Sequence, residues 1–459
     1  MGSTATPRPL PRSYRWIVLA IMSLICFAQY YIYDSITPLG TMIKDQLAFS
    51  GAEYGLLFSF YSVANVFFLM LLLAGVLVDK LGLKVSGIIY GFLCFLGAAL
   101  TAVGAWKGLP GALGPAFGWL HTAFFPSWSP ELKIMLLGRM IYGVGAEAIL
   151  VVNNKVLARW FKGKELAFAY GMNLTIMRAG TYLAMWVQAP VAVAWGLRAA
   201  LWFAAALMAV GFATYFIYLG LERAARGRLG APGMTEGGGT APEEKFVLRE
   251  AFSFDAPFWF ITLLCVTFYS AVFPFQSYAP DILFQKFGYS MTTGSRYVSF
   301  LILGTMIFTP IFGAFVDRRG KRATMMVWGS LLLIPCHLLL GYTHFPPVVP
   351  IFVVGIALSL VPAALWAAIP MMVPESRLGT AFGVVGYVQN VGLFLFPYLA
   401  GKIADAHTTM VNGQPVVDYT STMLMFASLG VVGFVFSLLL KATDARRKTG
   451  ISIEKVLLK

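Results

Sequence analysis

Long apolar runs recur along the whole chain and are separated by shorter polar stretches. A helix needs about 20 apolar residues to cross a bilayer. Lipid offers the backbone no hydrogen-bond partner, and these runs are continuous rather than alternating, so they predict helices and not the strands of a β-barrel. The twelve predicted spans are 15–38, 54–78, 85–106, 132–157, 165–190, 198–219, 257–283, 291–316, 323–342, 348–371, 378–401 and 419–441.

The segment 220–250 divides these spans into two sets of six. It contains three consecutive glycines at 237–239, two prolines and mixed charges, a composition typical of a flexible linker. We therefore predict an all-α membrane protein with an N-terminal six-helix bundle at 1–219 and a C-terminal six-helix bundle at 251–441. A basic tail follows at 442–459.

The composition excludes several classes of protein. Hydrophobic residues make up 59% of the chain and charged residues 12%, whereas soluble proteins carry about 25% charged residues. This argues against a cytosolic enzyme, a nucleic-acid-binding module and a disordered chain. Most of the 34 Lys and Arg residues lie in one alternating set of loops and in both termini. The positive-inside bias then predicts that both termini are cytoplasmic, and the net charge of +14 requires no nucleic acid to explain it.

One loop motif occurs twice, after the second span and again after the eighth. Its pattern is Gly-x3-Asp-basic-x-Gly-x-basic, and every position of the first copy has its equivalent in the second. Glycine permits close helix packing, and an aspartate can cap the positive N-terminus of a neighbouring helix. The motif residues are Gly75, Asp79, Lys80, Gly82 and Lys84 in the first copy, and Gly313, Asp317, Arg318, Gly320 and Arg322 in the second.

A duplicated motif on a chain of six plus six spans resembles the major facilitator superfamily. This resemblance implies two pseudo-symmetric six-helix bundles around a central pathway that opens alternately to either side of the membrane. It also implies that the motif loops latch the cytoplasmic side closed, so Asp79 and Asp317 are candidate gating residues.

Three ionisable residues lie deep inside predicted spans: Arg139, Glu147 and Arg178. Such residues cost several kcal/mol in a bilayer and therefore suggest function. The internal repeat, which aligns Gly143 with Gly355, places uncharged residues at the equivalent positions of the second half. A fixed anion and a fixed cation in one bundle suit a zwitterion, with Glu147 for an ammonium group and Arg178 for a carboxylate. The alternative is a buried structural bridge between Glu147 and either arginine.

Polar side chains also interrupt the apolar runs, and they predict a cavity for a small, partly apolar solute. The remaining predicted substrate-binding residues are Tyr30, Tyr33, Asn173, Tyr269, Gln276, Trp366 and Asn390. Arg139 and Asp34 are assigned a structural role or a role in coupling. We expect Asp34 to lie near the outer mouth, in contact with solvent.

Four local stretches resemble one branch of the superfamily, that of the lysosomal dipeptide transporter called major facilitator superfamily domain-containing protein 1. They are 30–34, 57–65, 158–166 and 373–383. The resemblance implies facilitative uniport of dipeptides, with proton coupling left open. The N-terminus shows no acidic dileucine sorting signal, so we expect a multi-pass protein of a bacterial cytoplasmic membrane, or of a lysosomal-type membrane in a eukaryote.

Two other functions stay open. One is a carrier of organic anions, in which Arg178 binds the substrate and Glu147 is a structural partner or proton site. The other is a non-transporting receptor or subunit whose external loop 107–131 docks an accessory protein. No catalytic constellation, metal-ligand spacing or cofactor motif is present, so we expect no enzyme, no metal and no cofactor. The expected partners are a small-molecule substrate and the lipid bilayer, and the expected functional unit is a monomer.

Overall fold

The computed structural model of the protein describes residues 13–106, 108–109, 111, 114–161, 165–229, 254–374 and 377–447. Helices account for nearly all of this part of the chain, as the apolar runs predict. Residues 220–229 of the predicted linker are helical, and residues 230–250 lie outside the described part. Residues 448–459 of the predicted basic tail also lie outside it.

Eight described helices form the N-terminal half. Two of them are short, and a 3₁₀ turn at Thr37–Leu39 joins the first to the second. The helices are α1 (Ser13–Asp34), α2 (Gly40–Leu47), α3 (Gly51–Phe68), α4 (Met70–Gly104), α5 (Pro115–Thr122), α6 (Pro130–Phe161), α7 (Leu166–Trp195) and α8 (Leu197–Leu229).

Six described helices form the C-terminal half, together with a small antiparallel hairpin. The hairpin pairs β1 (Thr408–Val411) with β2 (Gln414–Val417). Its turn places Asn412 and Gly413 at positive φ, which suits these two residue types. The helices are α9 (Ala256–Phe287), α10 (Met291–Arg319), α11 (Arg322–Tyr342), α12 (Val348–Met372), α13 (Leu378–Ala406) and α14 (Thr420–Arg447).

Ten helical stretches in the described chain are long and apolar enough to cross a membrane, against twelve predicted spans. The two predicted spans without such a stretch are 54–78 and 165–190. The span at 165–190 corresponds to α7, which is long enough but carries Asn173, Arg178 and Gln188, and these residues lower its mean hydropathy. The prediction of an all-α membrane protein is confirmed.

The prediction of one continuous helix over 54–78 is wrong. The helix breaks at Leu69, whose φ of 52° lies in the left-handed region, and α4 starts at the next residue. The predicted motif loop at 79–84 is instead a second break, where Gly82 interrupts α4 with a φ of 75°. Glycine takes that conformation without the steric cost that a side chain would bring. The polypeptide therefore turns at Gly82 between the second and third predicted spans.

Close helix crossings occur at equivalent positions in the two halves. A Cβ atom on Gly143 would lie 2.2 Å from the Tyr61 carbonyl oxygen, so α6 and α3 approach through bare backbone. A Cβ atom on Gly355 would lie 2.2 Å from the Leu301 carbonyl oxygen, so α12 and α10 do the same. These are the glycines that the internal repeat aligns, which supports a common packing scheme for both bundles.

The two halves contact each other at one end of the bundle. We call this the closed end, and we call the opposite end, which carries Asp79 and Asp317, the motif end. Lys44 of α2 forms an ion pair of 2.5 Å with Asp281 of α9 at the closed end. The described hydrogen bonds between the halves extend from there to about the middle of the helices, where Asn65 donates to Asn390 at 3.1 Å.

The glycine crossings yield a stability prediction. Replacing Gly143 or Gly355 with alanine should lower the free energy of unfolding by about 1–3 kcal/mol, because a methyl group would overlap a backbone carbonyl. The check is the midpoint of thermal unfolding of the purified protein in detergent. Gly220→Ala is the matched control, since no atom lies within 4 Å of its added Cβ. Equal midpoints for all three variants would contradict the packing scheme.

Candidate functional site

Glu147 and Arg178 lie at nearly the same depth in the N-terminal half. Glu147 lies about four helical turns before α6 ends at Phe161, and Arg178 lies about three turns after α7 begins at Leu166. Both of these helix ends belong to the motif end. With a helical rise of about 1.5 Å per residue, both residues lie about 20 Å from that end. Each side chain is half-buried.

Two neighbours on α3 flank the Glu147 carboxylate. The Tyr61 hydroxyl donates to Glu147 Oε1 at 2.8 Å, and the Asn65 amide lies beside the same carboxylate. Tyr33 of α1 packs edge-on against Tyr61, with 4.8 Å between ring centroids. Tyr61 and Asn65 are absent from the predicted substrate-binding residues. Their separation by one helical turn in an apolar run was the available signal, since it places both on one helix face.

Arg178 faces aromatic rings. Its guanidinium carbon lies 5.8 Å from the centroid of the Tyr30 ring, which is within cation–π range. Tyr30 is within electrostatic range of both Arg178 and Glu147. Tyr269 of the C-terminal half is also within electrostatic range of Arg178. Tyr30 and Tyr269 therefore lie near Arg178, and their role in substrate binding stays a prediction.

Glu147 and Arg178 do not form an ion pair with each other. The four ion pairs in the described part of the chain include neither residue. The structural bridge considered as an alternative, from Glu147 to Arg178 or to Arg139, is therefore not formed in this conformation. Both charges keep hydrogen-bonding capacity for a ligand.

Arg139 has a different environment from Arg178. It is 1% exposed, and its guanidinium donates to the carbonyl oxygens of Leu57, Ile32 and Tyr33 at 2.8, 3.4 and 3.3 Å. It also lies against the Tyr142 ring, 5.3 Å from the centroid. These contacts tie α6 to α1 and α3, which is the geometry of a structural residue.

The expectation that Asp34 contacts solvent at the outer mouth is wrong. Asp34 is 3% exposed and accepts a hydrogen bond of 2.8 Å from Gln276 Nε2 of α9. It is buried because the C-terminal half covers it at the closed end. The hydrogen bond between Asp34 and Gln276 therefore joins the two halves, nearer the closed end than Glu147 and Arg178 are.

The C-terminal half contributes an uncharged, aromatic side to this region. Trp366 of α12 donates its indole N–H to the Tyr269 hydroxyl at 3.0 Å. Tyr269 stacks on Phe273, with 5.5 Å between centroids and 10° between ring planes. These contacts hold Tyr269 and Trp366 together across from the N-terminal charges.

Asn390 and Asn173 occupy different parts of the molecule. Asn390 accepts a hydrogen bond from Asn65, so it reaches the neighbourhood of Glu147. Asn173 lies closer to the motif end than Arg178, donates to Ser23 Oγ at 2.9 Å and accepts from Asn153 at 3.0 Å. Its described contacts stay within the N-terminal half, so it is engaged in linking α1, α6 and α7.

In this conformation the described contacts of the duplicated motif do not join the two halves. Lys155 of α6 forms an ion pair of 2.5 Å with Asp79 and donates to the Gly75 carbonyl oxygen at 3.3 Å, all within the N-terminal half. No atom lies within 4 Å of a Cβ built on Gly75 or on Gly313. The side chains of Lys80, Lys84, Asp317 and Arg318 are exposed, and Arg322 is half-buried. Gly82 and Gly320 both adopt positive φ, so the two copies also share a backbone turn.

The region offers the Glu147 carboxylate, the Arg178 guanidinium and a neutral aromatic surface, with the buried Asp34 also within electrostatic range of Arg178. Such a site can bind a small molecule that carries both charges, or a carboxylate through Arg178 alone. The described residues contain no group of three or more His, Cys, Asp or Glu side chains placed to hold a metal ion.

Comparisons with known proteins agree with this architecture. The family model described as Major Facilitator Superfamily matches residues 19–306 and 283–457. The lysosomal dipeptide transporter MFSD1 of Homo sapiens is 28% identical over 425 residues, which cover 88% of this chain and 84% of that protein. The hexuronate transporter of Bacillus subtilis is 23% identical and covers 95% of this chain and 98% of that protein.

Solved structures show the same fold. A crystal structure of a mutant of the nucleoside transporter NupG aligns with a TM-score of 0.71 and 19% sequence identity, covering 93% of this chain and 99% of that chain. At this level of identity the likeness concerns the fold alone.

The contrast between the two arginines is testable. Arg139→Met should lower the free energy of unfolding by about 2–4 kcal/mol, because a buried side chain loses its hydrogen bonds and ring contacts. Arg178→Met should change it by less than about 1 kcal/mol, since Arg178 has a half-exposed site and no described ion pair to lose. Thermal unfolding in detergent compares the two matched variants. The assignment is wrong if Arg178→Met is the more destabilised protein.

Proposed function

The chain belongs to the Major Facilitator Superfamily, and we propose that it is a facilitative carrier of dipeptides that works by alternating access. It is a secondary transporter and not an enzyme. The dipeptide assignment depends on the Glu147–Arg178 site and draws support from the MFSD1 relatives.

The observation that carries the proposal is that Glu147 and Arg178 share a region and take part in none of the ion pairs of the described chain. An unpaired charge in a low-dielectric environment is costly, so a ligand that neutralises both charges gains more than it would in water. A dipeptide presents an ammonium group at one end and a carboxylate at the other. We assign the ammonium group to Glu147 and the carboxylate to Arg178, whose planar fork matches carboxylate geometry.

Tyr30 and Tyr269 suit the body of such a substrate. Tyr30 is within electrostatic range of both charges, and Tyr269 approaches Arg178 from the C-terminal half. Recognition of the peptide ends would leave the side chains of the substrate facing the aromatic surface of Tyr269 and Trp366. This surface is neutral and would accept side chains of various shapes.

The conformation fits one stage of a transport cycle. The halves meet at the closed end, whereas Asp79 pairs within its own half at the motif end. Basic loop residues cluster at the motif end, so by the positive-inside bias we assign this end to the cytoplasm, together with both termini. The structure then corresponds to an inward-facing carrier. We propose the cytoplasmic membrane of a bacterium as its location and a monomer as its functional unit.

A carrier of organic anions is the second candidate. Arg178 alone could bind a carboxylate, and the hexuronate transporter of Bacillus subtilis is similar to this chain along nearly its entire length. In that case Glu147, held by Tyr61, would act as a structural partner or a proton site.

Ligand-induced thermal stabilisation tests the assignment of the two charges. A dipeptide at 100 times its dissociation constant should stabilise the wild-type protein by about 2.7 kcal/mol. Glu147→Gln and Arg178→Ala should each remove most of that stabilisation, because each deletes one charge-assisted contact worth about 1.5–3 kcal/mol.

Matched controls come from residues of the same type outside the site. Arg198 lies over the Trp106 ring at 4.5 Å, as Arg178 lies over Tyr30, so Arg198→Ala should keep the dipeptide response. Glu53→Gln keeps the α3 capping box and should keep the response too. If both site variants respond like the wild type, the assignment fails. If hexuronates or dicarboxylates stabilise the protein and dipeptides do not, the second candidate replaces the first.

A further inference from the structure

A single aspartate of the C-terminal half caps a helix of the N-terminal half at the closed end. Asp405, near the end of α13, accepts hydrogen bonds from the backbone N–H groups of Gly51 at 2.5 Å and Ala52 at 2.8 Å, one on each carboxylate oxygen. These are the first two amides of α3. We propose that Asp405 is the latch that holds the closed end shut and thereby sets the conformational equilibrium of transport.

The residues that cap α3 within its own half leave two backbone N–H groups without an acceptor, and Asp405 binds these two groups. Ser50 accepts from the Glu53 N–H group at 3.1 Å, and Glu53 accepts from the Ser50 N–H group at 2.9 Å. The amides of Gly51 and Ala52 have no acceptor within α3, as is general for the first turn of a helix. Asp405 supplies both acceptors, and its charge lies at the positive end of the α3 dipole. Opening the closed end therefore separates a favourable charge–helix contact.

The backbones around Asp405 are in direct contact. A Cβ atom on Gly401 would lie 2.0 Å from the Gly51 carbonyl oxygen, and one on Gly55 would lie 2.3 Å from the Pro397 carbonyl oxygen. Tyr278 of α9 donates to the same Gly51 carbonyl oxygen at 2.7 Å. The Asp405 carboxylate thus lies at a contact where only glycine lets α13 approach α3 so closely.

The contact between α7 and α10, which the internal repeat makes equivalent to the contact between α13 and α3, lacks such a carboxylate among its described residues. The internal repeat aligns Asp405 with Val193 of α7. The start of α10 is capped by its own Ser290, which accepts from the Thr293 N–H group at 3.2 Å. Across this contact Trp186 donates to Ser299 at 2.9 Å and carries Arg296 over its ring at 4.8 Å. The charge–helix latch is therefore confined, among the described contacts, to the α3–α13 side.

Asp405 would do at the closed end what the family resemblance implies that Asp79 does at the motif end, namely hold that end closed. The part of α4 before its break at Gly82 brings Asp79 to the motif end, where α13 begins at Leu378. In the present conformation Asp79 is held by Lys155 while Asp405 is engaged across the halves. Asp405 therefore binds a group of the opposite half, whereas Asp79 binds a residue of its own half.

A buried reporter thiol measures opening of the closed end. Ser277 is 6% exposed, and its carbonyl oxygen accepts from Tyr54 of α3, so Ser277→Cys places a thiol beneath the contact. The four native cysteines are buried, and the protein without the reporter gives their background. Labelling by a bulky maleimide is followed in detergent with no solute present, so the result does not depend on which substrate the protein carries.

Asp405→Asn in the reporter background should accelerate labelling about tenfold, because it removes the charge and one amide acceptor. The matched control is Asp418→Asn. Asp418 also caps a helix start at the closed end, accepting from the Thr420 N–H group at 2.9 Å, but it does so within its own half. The control should label at the rate of the unmodified reporter protein.

A steric variant tests the same contact without altering a charge. Gly401→Ala retains Asp405 but drives a methyl group into the Gly51 carbonyl oxygen, so it should also accelerate labelling. Folded Asp405→Asn protein that labels at the control rate overturns the proposal. If Asp405→Asn yields no folded protein, an unchanged rate in Gly401→Ala overturns it, and an accelerated rate supports it.

Discussion

The free-energy cost of a charge within the bilayer organises this molecule. A charged side chain at that depth must be paired, surrounded by hydrogen-bond acceptors, or exposed to a water-filled space. Arg139 satisfies this constraint with three carbonyl oxygens and an aromatic ring. Glu147 and Arg178 do not pair with each other, and each keeps a half-exposed side chain beside tyrosines. The same constraint that makes Arg139 a structural residue makes the other two available for a zwitterion.

The second constraint is that two bundles must separate at one end while they meet at the other. At the closed end, polar contacts with the opposite half engage the buried Asp34 and Asp281 and the half-buried Asp405. Buried apolar residues of both halves, such as Ile36 and Ile282, also belong to one hydrophobic cluster. Hydrogen bonds and ion pairs can be exchanged for water when the end opens, whereas an interlocked apolar interface would expose hydrophobic surface. The polar part of this contact thus suits a reversible gate. The duplicated glycine crossings, in contrast, lie within each half and keep each bundle rigid.

Much of the fold could be predicted from the sequence because apolar length and repeated motifs are local signals. The break at Leu69 could not, since the run around it is uniformly apolar and contains neither glycine nor proline. The burial of Asp34 depends on how the C-terminal half closes over it, which one sequence does not specify. The sequence places Glu147 and Arg178 deep inside their spans, but only the folded structure shows that they form no ion pair and that Tyr61 and Asn65 flank Glu147.

Calorimetric titration of the wild-type protein with one dipeptide and its end-blocked analogues measures how much each end of the substrate contributes to binding. N-acetylation removes the ammonium group assigned to Glu147, and C-terminal amidation removes the carboxylate assigned to Arg178. We predict that the free dipeptide binds and that each blocked analogue binds more than about tenfold more weakly, since each loses one charge-assisted contact. Equal affinity for the free and the blocked dipeptides would contradict it.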